Sequence, residues 1–144
     1  MRSLQWIIAL ALVPVMLAGC TKVKTTPTGD QTVVPEAKVT AEQLLDEYKK
    51  NQIGADQKYK DKPIQLTGKV SGVGKLPLAG YYVGIGTAHE DETFDIMCVL
   101  DKDDKSAEEK AGKLKVGDTV TLVGRCEGKA GGFALYFRYC FFPK

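Results

Sequence analysis

Residues 61–74 read DKPIQLTGKVSGVG. Ile64, Leu66 and Val70 fall on one side of an extended chain, while Gln65, Thr67, Lys69 and Ser71 fall on the other. That alternation predicts a half-buried strand. Gly68 stands in the apolar phase, where a side chain is expected. A glycine there predicts a bulge or sharp bend. A long strand bent near its middle can pair with one neighbour in its first half and another in its second. That property belongs to small closed barrels, and it directs the reading of everything around it.

Downstream, GKLPLAG (residues 74–80) is a loop by composition, and YYVGIGTA (81–88) is a second strand with two interior glycines. AHEDE (88–92) reads as a charged turn. TFDIMCVL (93–100) is a third strand, with Phe94, Ile96, Cys98 and Leu100 on one side. The period then changes. Ser106 and Glu109 have capping-box spacing, and Ala107, Ala111 and Leu114 give a modest helical stripe. A turn at Gly117-Asp118 leads into VGDTVTLVGRCEG (116–128), a fourth strand with Val120, Leu122 and Cys126 in phase. After KAGG, FALYFRYCFF (133–142) is a fifth strand, apolar on both faces. Upstream, Thr40 and Gln43 form a capping-box pair ahead of Ala41, Leu44, Leu45 and Tyr48, one face of a short helix. Lys49 and Lys50 close it, where cations suit the helix dipole.

Helix, three strands, helix, two strands is the layout of the OB-fold, a five-stranded Greek-key barrel. The predicted class is therefore all-β with short helices, the barrel preceded by one amphipathic helix and carrying a second between its third and fourth strands. The last two strands form a hairpin, and the fifth closes against the third. KYKDKPIQLTGKV, YYVGI, IMCVL, LKVGDTVTLVGRCEG and YFRYC resemble the tRNA_anti-like family, an OB-fold family of mostly exported bacterial proteins. The resemblance runs from about Ala41 to Phe142, with Gly117, Asp118 and the cysteines at 98, 126 and 140 as its best markers. Asp61 departs from the pattern, since such sequences often have Gly before the first strand; the C-terminal run of aromatics departs as well. The family name implies nucleic-acid binding by likeness of fold, which does not by itself settle function.

The N-terminus speaks to location. Arg2 precedes an apolar run from Ile7 to Leu17, interrupted only by Pro14. The run is too short to span a bilayer core and fits the apolar region of an export signal. Leu17-Ala18-Gly19-Cys20 resembles the lipobox of bacterial lipoproteins, in which the signal is cut before the cysteine and its thiol carries a diacylglycerol. The resemblance implies a signal peptide over 1–19, a lipidated Cys20 (palmitate-type acyl chains), and a protein anchored to a membrane in an oxidising compartment. Thr21, where an Asp would retain the protein at the inner membrane, implies the outer membrane facing the periplasm if the source is Gram-negative. Residues 20–39 carry the lipid and a Thr/Pro-rich flexible tether, and the OB domain occupies 40–144.

The chain has 144 residues and a formal net charge of +2, which becomes +1 once residues 1–19 and their Arg2 are removed. Near-neutrality gives no support to a strong nucleic-acid binder. The expected ligand face is outward-pointing Tyr82 and Tyr136 with Arg138, flanked by Lys69, Lys75 and Lys129. The competing reading places most rings inside the barrel. His89, the only histidine, sits in the turn HEDET and meets no evident metal partner. DKDDKSAEE lacks the glycine and terminal glutamate of a calcium loop, and no phosphate-binding glycine loop is present. No cofactor, metal or catalytic residue is expected. With Cys20 lipidated, three thiols remain. The barrel layout favours a Cys98–Cys140 disulfide with Cys126 free, but the phase of the fifth strand opposes it: if Phe133, Leu135, Phe137 and Tyr139 face in, Cys140 faces out. A bulge would repair the phase, and three reduced buried thiols are the alternative. The sequence thus leads to a membrane-anchored, non-catalytic envelope lipoprotein that binds a small ligand or an envelope protein. A single-stranded nucleic-acid binder is the second reading.

Overall fold

A computed structural model describes residues 33–88, 94–131 and 134–144, with the side chains of Thr87, Ala88 and Phe94 left aside. The expected signal peptide, Cys20, most of the tether, His89 with its acidic turn, and Phe133 lie outside the described residues. The elements run β1 (Ala37–Thr40), α1 (Ala41–Lys50), α2 (Gln52–Tyr59), β2 (Pro63–Leu76), β3 (Gly80–Ala88), β4 (Phe94–Leu100), α3 (Lys105–Ala111), β5 (Thr119–Ala130) and β6 (Ala134–Phe141).

β2 is the shared strand. Its first half, Pro63–Lys69, pairs antiparallel with β5, and its second half, Val70–Leu76, pairs antiparallel with β3. Antiparallel β3–β4, parallel β4–β6 and antiparallel β6–β5 complete the circuit. Five strands thus close a barrel in the OB order, with the expected hairpin and the expected β4–β6 closure. The break in β2 falls between Val70 and Gly72 and not at Gly68. Ser71, expected on the outside, is consequently buried at the irregularity. Gly68 serves a different need: a Cβ there would sit 2.5 Å from Ile85 Cγ2 and 2.8 Å from the Ala41 Cβ. The glycine lets α1 and β3 close over β2.

Inside the barrel, Ile64, Leu66, Val70, Val83, Ile85, Ile96, Leu122, Leu135 and Phe137 are buried. Each such side chain stabilises the fold by roughly 1.5–3 kcal/mol relative to exposure. On the outside of the β2–β5 ladder, the Thr67 and Thr121 hydroxyls share a hydrogen bond of 2.9 Å. α1 is capped as expected: the Gln43 N–H donates to Thr40 Oγ1, and the Thr40 N–H donates to Gln43 Oε1. Ala41, Leu44 and Tyr48 are buried from it, and the Tyr48 hydroxyl lies 3.6 Å from Cys126 Sγ on β5. Burial pushes the pKa values of both groups up.

Three elements differ from expectation. Residues 37–39, read as tether, join Thr40 in β1, parallel to β2 with Ala37 opposite Ile64 and Val39 opposite Leu66. Four residues are too few to display a period, and their burial depends on the strand beside them. α2 was not expected, because its only interior punctuation is Gly54 and it has no apolar stripe. Asn51 accounts for it: its N–H donates to Glu47 O to end α1, and its Oδ1 accepts from Gly54 N–H to start α2. At α3 the cap is Asp104, whose Oδ1 accepts from the Ala107 N–H, and not the Ser106–Glu109 box.

Asp61 explains its own departure from the family pattern. Its φ is 65°, in the left-handed region that favours glycine. The aspartate keeps a compensating contact, accepting from Arg125 Nη2 at 2.8 Å. That hydrogen bond lowers the Asp61 pKa. A lowered folded pKa gives stability that is present above the unfolded carboxylate pKa, near 4, and lost as pH falls through the folded value. Asp61→Asn is therefore expected to lower stability at pH 7, with the difference from wild type shrinking below about pH 4 in urea titrations. Exposure of the pair limits the effect to about 1 kcal/mol or less. Gly68→Ala is expected to cost about 1–3 kcal/mol in the same measurement, because the new methyl overpacks Ile85 and Ala41.

Candidate ligand groove on the barrel face

β6 alternates in its first half: Leu135 and Phe137 point into the barrel, and Tyr136 and Arg138 point out. Tyr139 was expected inside. Its φ of 54° breaks the alternation, so that Arg138 and Tyr139 are both exposed and Cys140 and Phe141 are both buried. Left-handed backbone in a bulky residue costs roughly 1–2 kcal/mol. Strain of this kind persists where the surroundings enforce it and concentrates at functional surfaces.

A groove of about 530 Å³ lies along this strand. Tyr136, Arg138 and Tyr139 form its β6 side, and Val99 with the chain at Asp101–Asp103 follows from β4. Leu76 and the turn at Leu78–Ala79 contribute from the β2–β3 connection. Leu78 is also left-handed, with φ 67°, and its side chain is fully exposed. Among the described residues, two of the three non-glycine positions with positive φ therefore line one groove. Asp101 is buried at the groove floor. Its Oδ1 accepts from the Asp103 N–H at 3.0 Å, and its own N–H donates to Cys140 O. The groove therefore has a rigid polar corner, an aliphatic side from Leu76, Leu78 and Val99, and two phenol rings. Its charged side chains are Arg138 and Lys102 against Asp101 and Asp103. Among the described residues no carboxylate pairs with Arg138. Such a lining can hold an apolar or aromatic group and an anionic group, and it can accept a hydrogen bond from an ammonium or amine.

Of the residues expected to form the ligand face, Tyr136 and Arg138 come together here. Tyr82 stands one strand away, in register with Val99. Its ring lies over Gly74, where a Cβ would come within 2.7–2.9 Å of the ring and its hydroxyl. The three lysines disperse. Lys75 sits 5.6 Å from the Tyr81 ring centroid, Lys69 lines a separate groove of about 330 Å³ beside Thr40 and Asp95, and Lys129 is exposed opposite Leu135 without lining either groove. Alternation alone could not separate them, because every lysine on a strand's outer face looks alike from the sequence. Leu78, Val99 and Tyr139 were missed. Leu78 had one visible signal, a lone large aliphatic in the Pro/Gly turn KLPLAG. The inversion at Tyr139 had none. Among the described residues no cluster of three metal-ligating side chains occurs, and no helix is long and apolar enough to cross a membrane.

The family model for tRNA_anti-like matches residues 1–138. Among solved structures, the chain is similar to a lipoprotein from Klebsiella pneumoniae proposed to bind nucleic acid. The TM-score is 0.52 at 18% identity, over 74% of this chain and 91% of that one. At that identity the likeness speaks to the fold. No curated protein sequence matches the chain.

Leu78 gives a test of whether the groove carries strain for binding. Leu78→Asn replaces a residue disfavoured at φ 67° by one that tolerates it and removes no buried surface. Thermal melting is expected to show an unchanged or slightly raised Tm. A loss of about 2 kcal/mol or more would mark Leu78 as structural.

Proposed function

The chain belongs to the tRNA_anti-like family of OB-fold domains, and from that premise we propose that it is a non-catalytic binding module, lipid-anchored in the bacterial cell envelope through Cys20. Its ligand lies in the Leu78–Tyr139 groove. The observation that carries this reading is the local inversion at Tyr139, which sets two phenol rings and a guanidinium side by side on one strand, facing an exposed leucine. Rigid aromatic anchors beside an Arg are what binding energy concentrates on. The balance of two basic and two acidic side chains supports a ligand that carries both signs. A polyanion would meet Asp101 and Asp103 together with Arg138. A peptide segment satisfies both signs, with a carboxylate for Arg138, a donor for Asp103 and an apolar side chain for the tyrosines. The ligand is therefore a segment of an envelope protein or peptide.

The second reading is single-stranded nucleic acid, with bases stacked on Tyr136 and Tyr139 and Arg138 on phosphate. The aromatic-basic sequence of β6 favours it, and the similar Klebsiella lipoprotein is described as proposed to bind nucleic acid. The two readings separate in one titration of the full chain in detergent, using an aromatic peptide with a free C-terminal carboxylate and an oligothymidylate. Arg138→Ala is expected to weaken the peptide about tenfold or more, as loss of a charge-assisted hydrogen bond does. Oligothymidylate is expected to bind weakly. Tight oligothymidylate binding that falls steeply between 50 and 200 mM salt and is lost in Tyr136→Ala would replace the peptide reading.

The anchor is tested separately. Two long acyl chains, at about 0.8 kcal/mol for each buried CH₂, hold a protein at a bilayer. Cys20→Ser is expected to abolish lipid labelling and move the protein out of the salt-washed membrane fraction.

A further inference from the structure

Cys98, Cys126 and Cys140 are free thiols in the structure, each with no exposed surface. We propose that Cys98 and Cys140 become joined by a disulfide across the parallel β4–β6 ladder, leaving Cys126 as the barrel's remaining thiol. The phase that opposed this pairing in the sequence is reversed by the structure. Arg138 and Tyr139 turn outward together, so Cys140 faces the interior, as Cys98 does. The register slips by one between Cys98 and Leu100, and Cys140 comes to lie opposite Leu100, one inward position along β4 from Cys98. Gly124 provides the room. A Cβ on that residue would stand 2.5 Å from Cys140 Sγ, so the sulfur occupies space that any side chain on β5 would fill. Cys126 is drawn elsewhere, opposite Phe137 and facing the Tyr48 hydroxyl of α1.

Chemistry fixes when the bond forms. Burial, with the Cys98 thiol beside it, raises the Cys140 pKa well above its ordinary value. A thiol attacks only as its thiolate and only where an acceptor can reach it, and both sulfurs are buried in the closed barrel. The pair reacts while the chain is open. One thiolate attacks a disulfide acceptor, either glutathione disulfide or the disulfide of an oxidoreductase, and forms a mixed disulfide. The second thiolate displaces the acceptor's sulfur and closes the protein bond. Two electrons pass to the acceptor, which leaves as two thiols, and the two cysteine protons pass to solvent and to the departing thiolates.

The test uses the full chain carrying Cys20→Ser, so that only the three barrel cysteines report. The chain is unfolded, refolded in a glutathione redox buffer with detergent, denatured again without reductant, alkylated and weighed intact. One alkylated thiol is expected without reduction and three after it. Proteolysis should yield a linked pair of peptides containing Cys98 and Cys140. Cys126→Ser should retain the bond and show no alkylation before reduction. Prefolded reduced protein in the same buffer should oxidise at least tenfold more slowly, its rate rising with denaturant. Three alkylated thiols in the unreduced sample, or a linked pair that includes Cys126, would overturn the proposal.

Discussion

The fold depends on one strand serving two ladders. β2 gives its backbone hydrogen bonds to β5 over its first half and to β3 over its second, and the β4–β6 ladder closes the circuit on the far side. Were β2 straight and regular, it would continue beside one neighbour, and the sheet would keep two open edges. The irregularity at Ser71 turns it, and every later strand then has its partner fixed: β3 to β4, β4 to β6, β6 to β5. Buried Ser71 Oγ has no hydrogen-bond partner among the described residues. That unmet hydroxyl is a local cost of closing the barrel, offset by the apolar side chains the closure buries.

The second constraint is the inversion at Tyr139. It acts on both faces of the barrel at once. Outward, it places a phenol next to Arg138 and gives the groove its aromatic end. Inward, it restores Cys140 to the core, while Phe141 is buried opposite Val123 of β5. A strand's side-chain period of two normally makes such a change impossible without moving every residue beyond it. Here one residue absorbs the change, at the cost of a left-handed backbone, and the strand ends two residues later.

Much of this architecture was legible in the sequence. Alternation in Ile64–Val70, Ile96–Leu100 and Val120–Cys126 announced the barrel strands, and the Thr40–Gln43 spacing announced α1. These signals survive because each is local: a strand shows its buried face, and a cap shows its own donors and acceptors. What could not be read was set by contacts distant in the chain. β1 is a strand only because β2 lies beside it. Gly68 looked like a bend and proved to be a close approach between α1 and β3. The groove was half legible. Tyr136 and Arg138 follow from alternation. Leu78 and Tyr139 depend on the sign of a backbone angle, and composition carries no record of it.

β1 also has a mechanical meaning. The four-residue strand runs parallel to β2, and the ladder is extended by the Glu36 N–H donating to Pro63 O. A pull from the N-terminal side along the strand axis would act across the evenly spaced, slanted hydrogen bonds of this parallel pair. Those bonds share the load in shear, whereas a strand peeled from its end would break them one at a time. A pull of that kind would be spread over residues 64–67 of β2 before it reached α1 and the core behind it.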